Sequence, residues 1–178
     1  MEKVFLNDRI IDAAEAHIPA NDAGFLYGAG LFETMRALNG VVFALNEHLD
    51  RLFSSAQALS IRNTYSKEYI TDAVYQTLKA NDFTDARLRL TLTSGPMSLE
   101  EDARPTVVIT ATRFTPYPAE YSKNGVLVVL SPFKQNVHDP TSGHKTTCYF
   151  PRIRALDEAR KKRAAEALWF TIDNRLAE

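Results

Sequence analysis

The chain has 178 residues, 45% of them hydrophobic, which is enough to bury a core for one large domain or two small ones. A formal net charge of −1 argues against a polyanion held by bulk electrostatics, and no apolar run reaches the roughly 20 residues needed to cross a bilayer. The single cysteine, Cys148, excludes an internal disulfide framework and suits a reducing compartment, and the segment from Met1 to Asp8 turns charged too soon for a secretion signal. These features predict a soluble, cytoplasmic protein without a nucleic-acid or membrane partner. Cys148 itself reads as a small buried residue.

The chain opens as a hairpin, Val4 to Leu6 and Arg9 to Ile11, turning at Asn7-Asp8. Pro19 and Gly24 break the next segment into a loop or a single helical turn. A strand from Leu31 to Leu38 follows, then Asn39-Gly40 and a second apolar run, Val41 to Ala44. Asn-Gly between two such runs is a strong hairpin signal, because both residues tolerate positive φ. Alternation puts Phe32, Thr34, Arg36 and Leu38 on one face and Leu31, Glu33, Met35 and Ala37 on the other. A charge therefore falls on each face, and neither is a plain core face.

Asn46 is the expected N-cap of a helix running to Leu59, with Leu49, Leu52, Phe53, Ala56 and Leu59 as its apolar stripe. Arg51 lies off that stripe, where solvation is the default reading. A second helix is expected from Ser66, with Tyr69, Ile70, Ala73, Val74, Thr77 and Leu78 inward. Two strands follow, Ala86 to Thr93 and Thr106 to Phe114. Arg87 and Arg89 share one face of the first, which suits either a solvated sheet face or an anion site. The two prolines of Thr115-Pro116-Tyr117-Pro118-Ala119 favour a stiff linker and mark the domain boundary.

Beyond the linker, Gly125 to Leu130 is almost wholly apolar and reads as a strand buried on both faces. A helix is expected from Thr147 to Arg163, with Ile153, Leu156 and Ala159 inward. Its basic end, Arg160 to Arg163, complements the helix dipole and requires no nucleic acid. Ala167 to Ile172 is a further strand, and Leu176 begins another after the turn at Asp173 to Arg175. Between the apolar strand and the helix lies Ser142-Gly143-His144-Lys145-Thr146-Thr147-Cys148-Tyr149. A lysine among small and hydroxyl residues, where a loop feeds a helix, suits a side chain that reaches into a pocket, although a lone lysine is ordinarily a surface residue.

Four stretches occur together in order: Asn21 to Arg36, Asn46 to Leu52, Gly143-His144-Lys145 with Tyr149, and Leu176-Ala177-Glu178. Together they resemble the class IV, fold-type IV aminotransferases, pyridoxal-phosphate-dependent enzymes that include branched-chain and D-amino-acid aminotransferases and 4-amino-4-deoxychorismate lyase. The resemblance implies an α+β fold with a small domain over 1–115, a linker at 116–122 and, over 123–178, the first part of a larger pseudo-barrel domain. It also implies pyridoxal 5'-phosphate as cofactor and a homodimer to which Tyr27 and its loop contribute across the interface. Lys145 would carry the cofactor as an aldimine and shuttle the substrate proton, a task for a base that spends part of its time neutral. Glu178 would face the pyridine nitrogen, Arg51 the phosphate and Tyr149 the ring hydroxyl. Tyr27, Phe32 and Arg36 match positions on the substrate pocket wall, and Arg87 and Arg89 lie where a substrate carboxylate is recognised.

The phosphate-cradling turns of the family come after the position of Glu178, so the 178 residues are expected to be the front part of a longer protein. An aminotransferase acting on an amino acid and a 2-oxo acid is the reading that follows, with the lyase, which releases pyruvate and 4-aminobenzoate, as its alternative. A non-catalytic fragment or binding protein is the reading from a different class.

Overall fold

A computed structural model describes residues 2–97 and 104–178. The chain divides into two compact units, Met1–Phe114 with His144–Thr147, and Thr115–Gly143 with Cys148–Glu178. No helix among the described residues is long and apolar enough to cross a membrane.

The first unit contains β1 (Lys3–Leu6), β2 (Arg9–Asp12), α1 (Ala23–Tyr27), β3 (Gly30–Leu38), β4 (Val41–Val42), α2 (Leu45–Ala58), α3 (Lys67–Ala80), β5 (Ala86–Thr93) and β6 (Thr106–Arg113). Its strands form one antiparallel sheet in the order β2-β1-β6-β5-β3-β4. Asn39 and Gly40 turn β3 into β4 with φ of 51° and 76°, the positive values that this two-residue turn demands.

Alternation then sorts the sheet. Leu31, Met35, Leu88, Leu90, Leu92, Val107 and Ile109 point to the face covered by α2 and α3, where Leu49, Leu52, Ile70, Val74 and Leu78 meet them in one buried cluster. Each such side chain contributes about 1.5–3 kcal/mol on burial, so this face dominates the stability of the unit.

Ser66 caps α3 as expected, its Oγ accepting the Tyr69 N–H at 3.1 Å. Tyr69 itself stands partly exposed and stacks on Tyr65 rather than entering the core. The cap expected at Asn46 is a correction: the carbonyl of Ala44 already accepts the His48 N–H at 3.0 Å, so α2 begins at Leu45. Ala44 takes a left-handed conformation with φ 52° and provides no side-chain cap.

Asp22 ties the short helix α1 to the sheet. It is fully buried; Oδ1 accepts the N–H groups of Gly24 (2.8 Å) and Phe25 (3.3 Å), and Oδ2 accepts the hydroxyls of Thr93 and Thr106 at 2.8 Å each. Replacing it with alanine removes an N-cap worth about 1 kcal/mol and strands two buried hydroxyls at about 1 kcal/mol or more each. Asp22→Ala is therefore expected to lose about 3 kcal/mol in urea denaturation, and Asp22→Asn, which still accepts at Oδ1, about half of that.

The second unit contains α4 (Ala119–Asn124), β7 (Val128–Gln135), α5 (Phe150–Lys161) and β8 (Glu166–Thr171). Residues 114–118 form no helix or strand. β7 and β8 run parallel, and α5 packs on both. Pro132, which has no N–H to donate, falls within the break in register between Leu130 and Lys134. Three expectations are corrected here. The apolar run Gly125 to Leu130, which leads into β7, is not buried on both faces: Leu127 and Leu130 are 60% and 66% exposed, because one strand and one helix cover β7 and its other face has no covering layer among the described residues. Helix α5 starts at Phe150 rather than Thr147, since Thr146 and Thr147 pair with β3, and its buried positions are Ala155 and Ala159 while Ile153 is exposed. Leu176 makes a single bridge to Phe170 and no strand.

Candidate active site

The Lys145 segment is seated by backbone. The N–H of Phe32 donates to the Lys145 carbonyl at 2.9 Å, and the N–H of Thr147 donates to the Gly30 carbonyl at 2.9 Å, so residues 145–147 extend the sheet along the first half of β3. The Thr147 hydroxyl adds a bond to the Gly28 carbonyl at 2.8 Å. Gly30 suits this close approach, since a Cβ there would crowd the Leu92 carbonyl and Thr147 Oγ1, each 3.0 Å away. On the other side of Lys145, His144 Nδ1 meets Ser55 Oγ of α2 at 3.0 Å. Four consecutive residues are thus pinned to β3 and α2.

The partly buried Lys145 amine stands 4.5 Å from the centre of the Phe32 ring, and the Arg89 guanidinium lies 3.9 Å from the centre of the same ring. Phe32 is buried, on the face of β3 opposite the helices, so it gathers a lysine and an arginine on the outer face of the sheet. Arg87 is exposed two residues before Arg89 on the same face of β5. Arg36, directly across from Arg87, is engaged elsewhere: it lies 3.4 Å over the Phe114 ring and 3.8 Å from the Asp85 carboxylate. Tyr27 closes α1 and is 67% exposed.

Arg51 is not simply solvated. Its Nε donates to Glu33 Oε1 at 2.7 Å and its Nη2 to Glu33 Oε2 at 2.5 Å, while His48 Nδ1 lies 2.8 Å from the same Oε2. Glu33 sits on the core face of β3 and is fully buried, which accounts for both an arginine off the apolar stripe and a charge on a core face. The bond to Glu33 holds the guanidinium more firmly protonated than usual, against the opposing effect of burial. Arg51 also borders an open cleft of about 710 Å³ with Asp50, Ser54, Gln57 and Lys67. Phe32, Arg89 and Lys145 are absent from that lining.

The second unit brings Tyr149 and Glu178 together. Burial, and after it the negative charge and hydrogen bond of Glu178, push the Tyr149 phenol above its usual range. Glu178 is fixed by Arg152, whose Nε lies 2.9 Å from Oε2, and by the Trp169 N–H donating to the Glu178 carbonyl at 2.7 Å. Arg152 also donates to Gln135 Oε1 at 2.8 Å and stacks 3.8 Å over the Trp169 ring. Sequence reasoning missed Arg152, one of several basic residues on a polar helix, and it gave Asp22 and His48 no individual role. Cys148, expected buried, is exposed in the short segment before α5.

The profile of the family described as amino-transferase class IV matches residues 30–178. The chain belongs to that family. A putative branched-chain-amino-acid aminotransferase of Methanocaldococcus jannaschii is 37% identical over 142 residues, covering 78% of this chain and 49% of its own length. The aminodeoxychorismate lyase of Bacillus subtilis is 29% identical over 181 residues, covering 98% of this chain and 61% of its own. A solved branched-chain amino acid aminotransferase from T.th., with pyridoxamine 5'-phosphate, superposes with a TM-score of 0.89 over 99% of this chain and 62% of that one; at 21% identity the likeness is one of fold. The chain is a mixed α+β part of the two-domain fold of the class, and it spans about half to three fifths of the length of these relatives.

Proposed function

We propose that this chain carries the reacting lysine and much of the cofactor site of a pyridoxal-phosphate-dependent aminotransferase, which moves an amino group between an amino acid and a 2-oxo acid. The observation that carries this reading is the seat of Lys145: its backbone is locked to β3 while its amine stands beside the Phe32 ring, with Arg89 on the same ring. In chemical type each unit offers groups that the cofactor would need: the first an amine for its aldehyde and the Arg51 guanidinium for its phosphate, the second the Tyr149 phenol for its ring hydroxyl and the Glu178 carboxylate for its ring nitrogen. When bound, that group supplies an electron-accepting ring that makes the substrate α-proton removable.

Lys145 is the base that takes this proton and returns it. Arg89 and Arg87 hold the substrate carboxylate, Phe32 and Tyr27 form pocket wall, and Arg36 is a second carboxylate ligand, reached by exchange with Asp85. The matching extent of the lyase relative, almost the whole chain, favours a second reading in which the same amine assists release of pyruvate and 4-aminobenzoate from aminodeoxychorismate.

The protein is proposed to be cytoplasmic and to act as a homodimer. Phe25, Leu26 and Tyr27 of α1 are 74%, 48% and 67% exposed, an apolar turn that suits a second copy of this chain. Phe25→Asp is expected to shift the mass measured by light scattering from dimer to monomer. To test the reaction, the purified protein is offered an amino acid with 2-oxoglutarate and, separately, aminodeoxychorismate. Glutamate supports the aminotransferase, 4-aminobenzoate the lyase. Neither product, together with no borohydride-sensitive visible absorbance on adding pyridoxal phosphate, leaves the non-catalytic reading standing.

A further inference from the structure

Glu33 has no packing reason to be where it is: a carboxylate on the core face of β3, fully buried, needs donors on every side. Arg51 provides two, Nε to Oε1 and Nη2 to Oε2, in a side-on pairing. His48 provides the third. A carboxylate only accepts, so the proton in the 2.8 Å contact belongs to His48 Nδ1, and the 3.4 Å approach of Arg51 Nη2 to that protonated nitrogen is not a hydrogen bond. The side-on pairing uses Nε–H and one N–H of Nη2. It fixes the guanidinium plane and leaves the opposite edge, Nη1 and the second N–H of Nη2, on a side chain that is half exposed and borders open space. The His48 contact falls on the same carboxylate oxygen as Arg51 Nη2, so Oε2 is shared between two donors.

We infer that Glu33 is a positioning residue for Arg51: it grips the guanidinium from inside the fold, with His48 as its second donor, so that the outer edge meets a phosphate group in one orientation. This rests on the proposed role of Arg51 toward the cofactor phosphate. An arginine locked along one edge presents the other without losing side-chain freedom on binding, a gain that a lone surface arginine would lack.

The test compares pyridoxal phosphate with pyridoxal, which has the same ring and aldehyde but no phosphate, in absorbance titrations of the protein, with inorganic phosphate as a third probe in thermal-shift measurements. Glu33→Gln removes the charge. Glu33→Asp keeps it but draws the anchor back by one methylene, and it decides the question alone if the glutamine variant does not fold. Either variant is expected to weaken pyridoxal phosphate about 10–100-fold, the usual effect of losing a group that orients a ligand-binding residue. The affinity for pyridoxal should stay within about twofold and the shift with inorganic phosphate should shrink. Equal weakening of both aldehydes, or no change in either, overturns the inference. Failure of the underlying reading shows elsewhere, in wild-type protein that does not bind pyridoxal phosphate or in an Arg51→Gln variant that binds it like wild type.

Discussion

Lys145→Ala is expected to abolish product formation while leaving the fold intact. The two halves of that expectation come from different atoms. The segment is held by main-chain bonds to Phe32 and Gly30, which alanine keeps. What the fold loses is the amine over the Phe32 ring, a contact worth about 0.5–1 kcal/mol at a partly exposed position. A melting temperature within a few degrees of wild type should result. On the proposed role of Lys145, catalysis loses its proton carrier, and general acid–base catalysis alone contributes about 10²–10⁴-fold. With the attachment of the cofactor gone as well, the rate should fall by at least about 10³-fold. Lys145→Arg sharpens the test, because arginine keeps the cation on the ring but never gives up its proton near neutral pH. It should melt like wild type and be as inactive as the alanine variant. Substantial activity in either variant would remove Lys145 from the reaction.

How much of this was legible in the sequence depends on how local the cause is. The Asn39-Gly40 hairpin, the Ser66 cap and the alternation of β3 are set within a few residues, and they were readable. Arg51 was visible only as an anomaly: periodicity showed that packing did not need it, but its partner Glu33 lies 18 residues away on a different element. The same limit explains the strand around Val128. An all-apolar run states that both faces tolerate burial, while whether they are buried depends on layers that the run does not encode. Arg152 carried no signal at all, because its three contacts converge from β7, β8 and Glu178 and nothing about a basic residue on α5 announces them.

Arg152→Met is the variant in which stability and function should separate most clearly after Lys145. Its guanidinium is mostly buried, stacked on Trp169, bonded to Gln135 and paired with Glu178, yet its Nη1 is buried with no hydrogen-bond partner among the described residues. The stacking and the Gln135 bond together contribute about 2–3 kcal/mol; the unmet Nη1 costs about 1–3 kcal/mol, and the ion pair with half-exposed Glu178 adds at most about 1 kcal/mol. Methionine fills the volume and removes both the gains and the penalty, so the net loss should be near 1 kcal/mol. Glu178, by contrast, loses the group that aims it. Activity should fall about 10–100-fold with a weaker apparent affinity for pyridoxal phosphate, as expected when an orienting partner is removed. The pH dependence gives an independent readout. With the Tyr149 phenol raised above its unfolded value of about 10, the native state holds this proton longer than the unfolded state does. Stability from this group is therefore fully present below about pH 10 and declines as pH rises from there through the folded value. Tyr149→Phe should remove that part of the decline. Arg152 opposes the upward shift, so Arg152→Met should steepen the alkaline loss relative to wild type. A urea midpoint that falls equally between pH 8 and pH 11 in all three proteins would separate Tyr149 from Glu178 and undo the arrangement of the second unit on which the ring contacts depend.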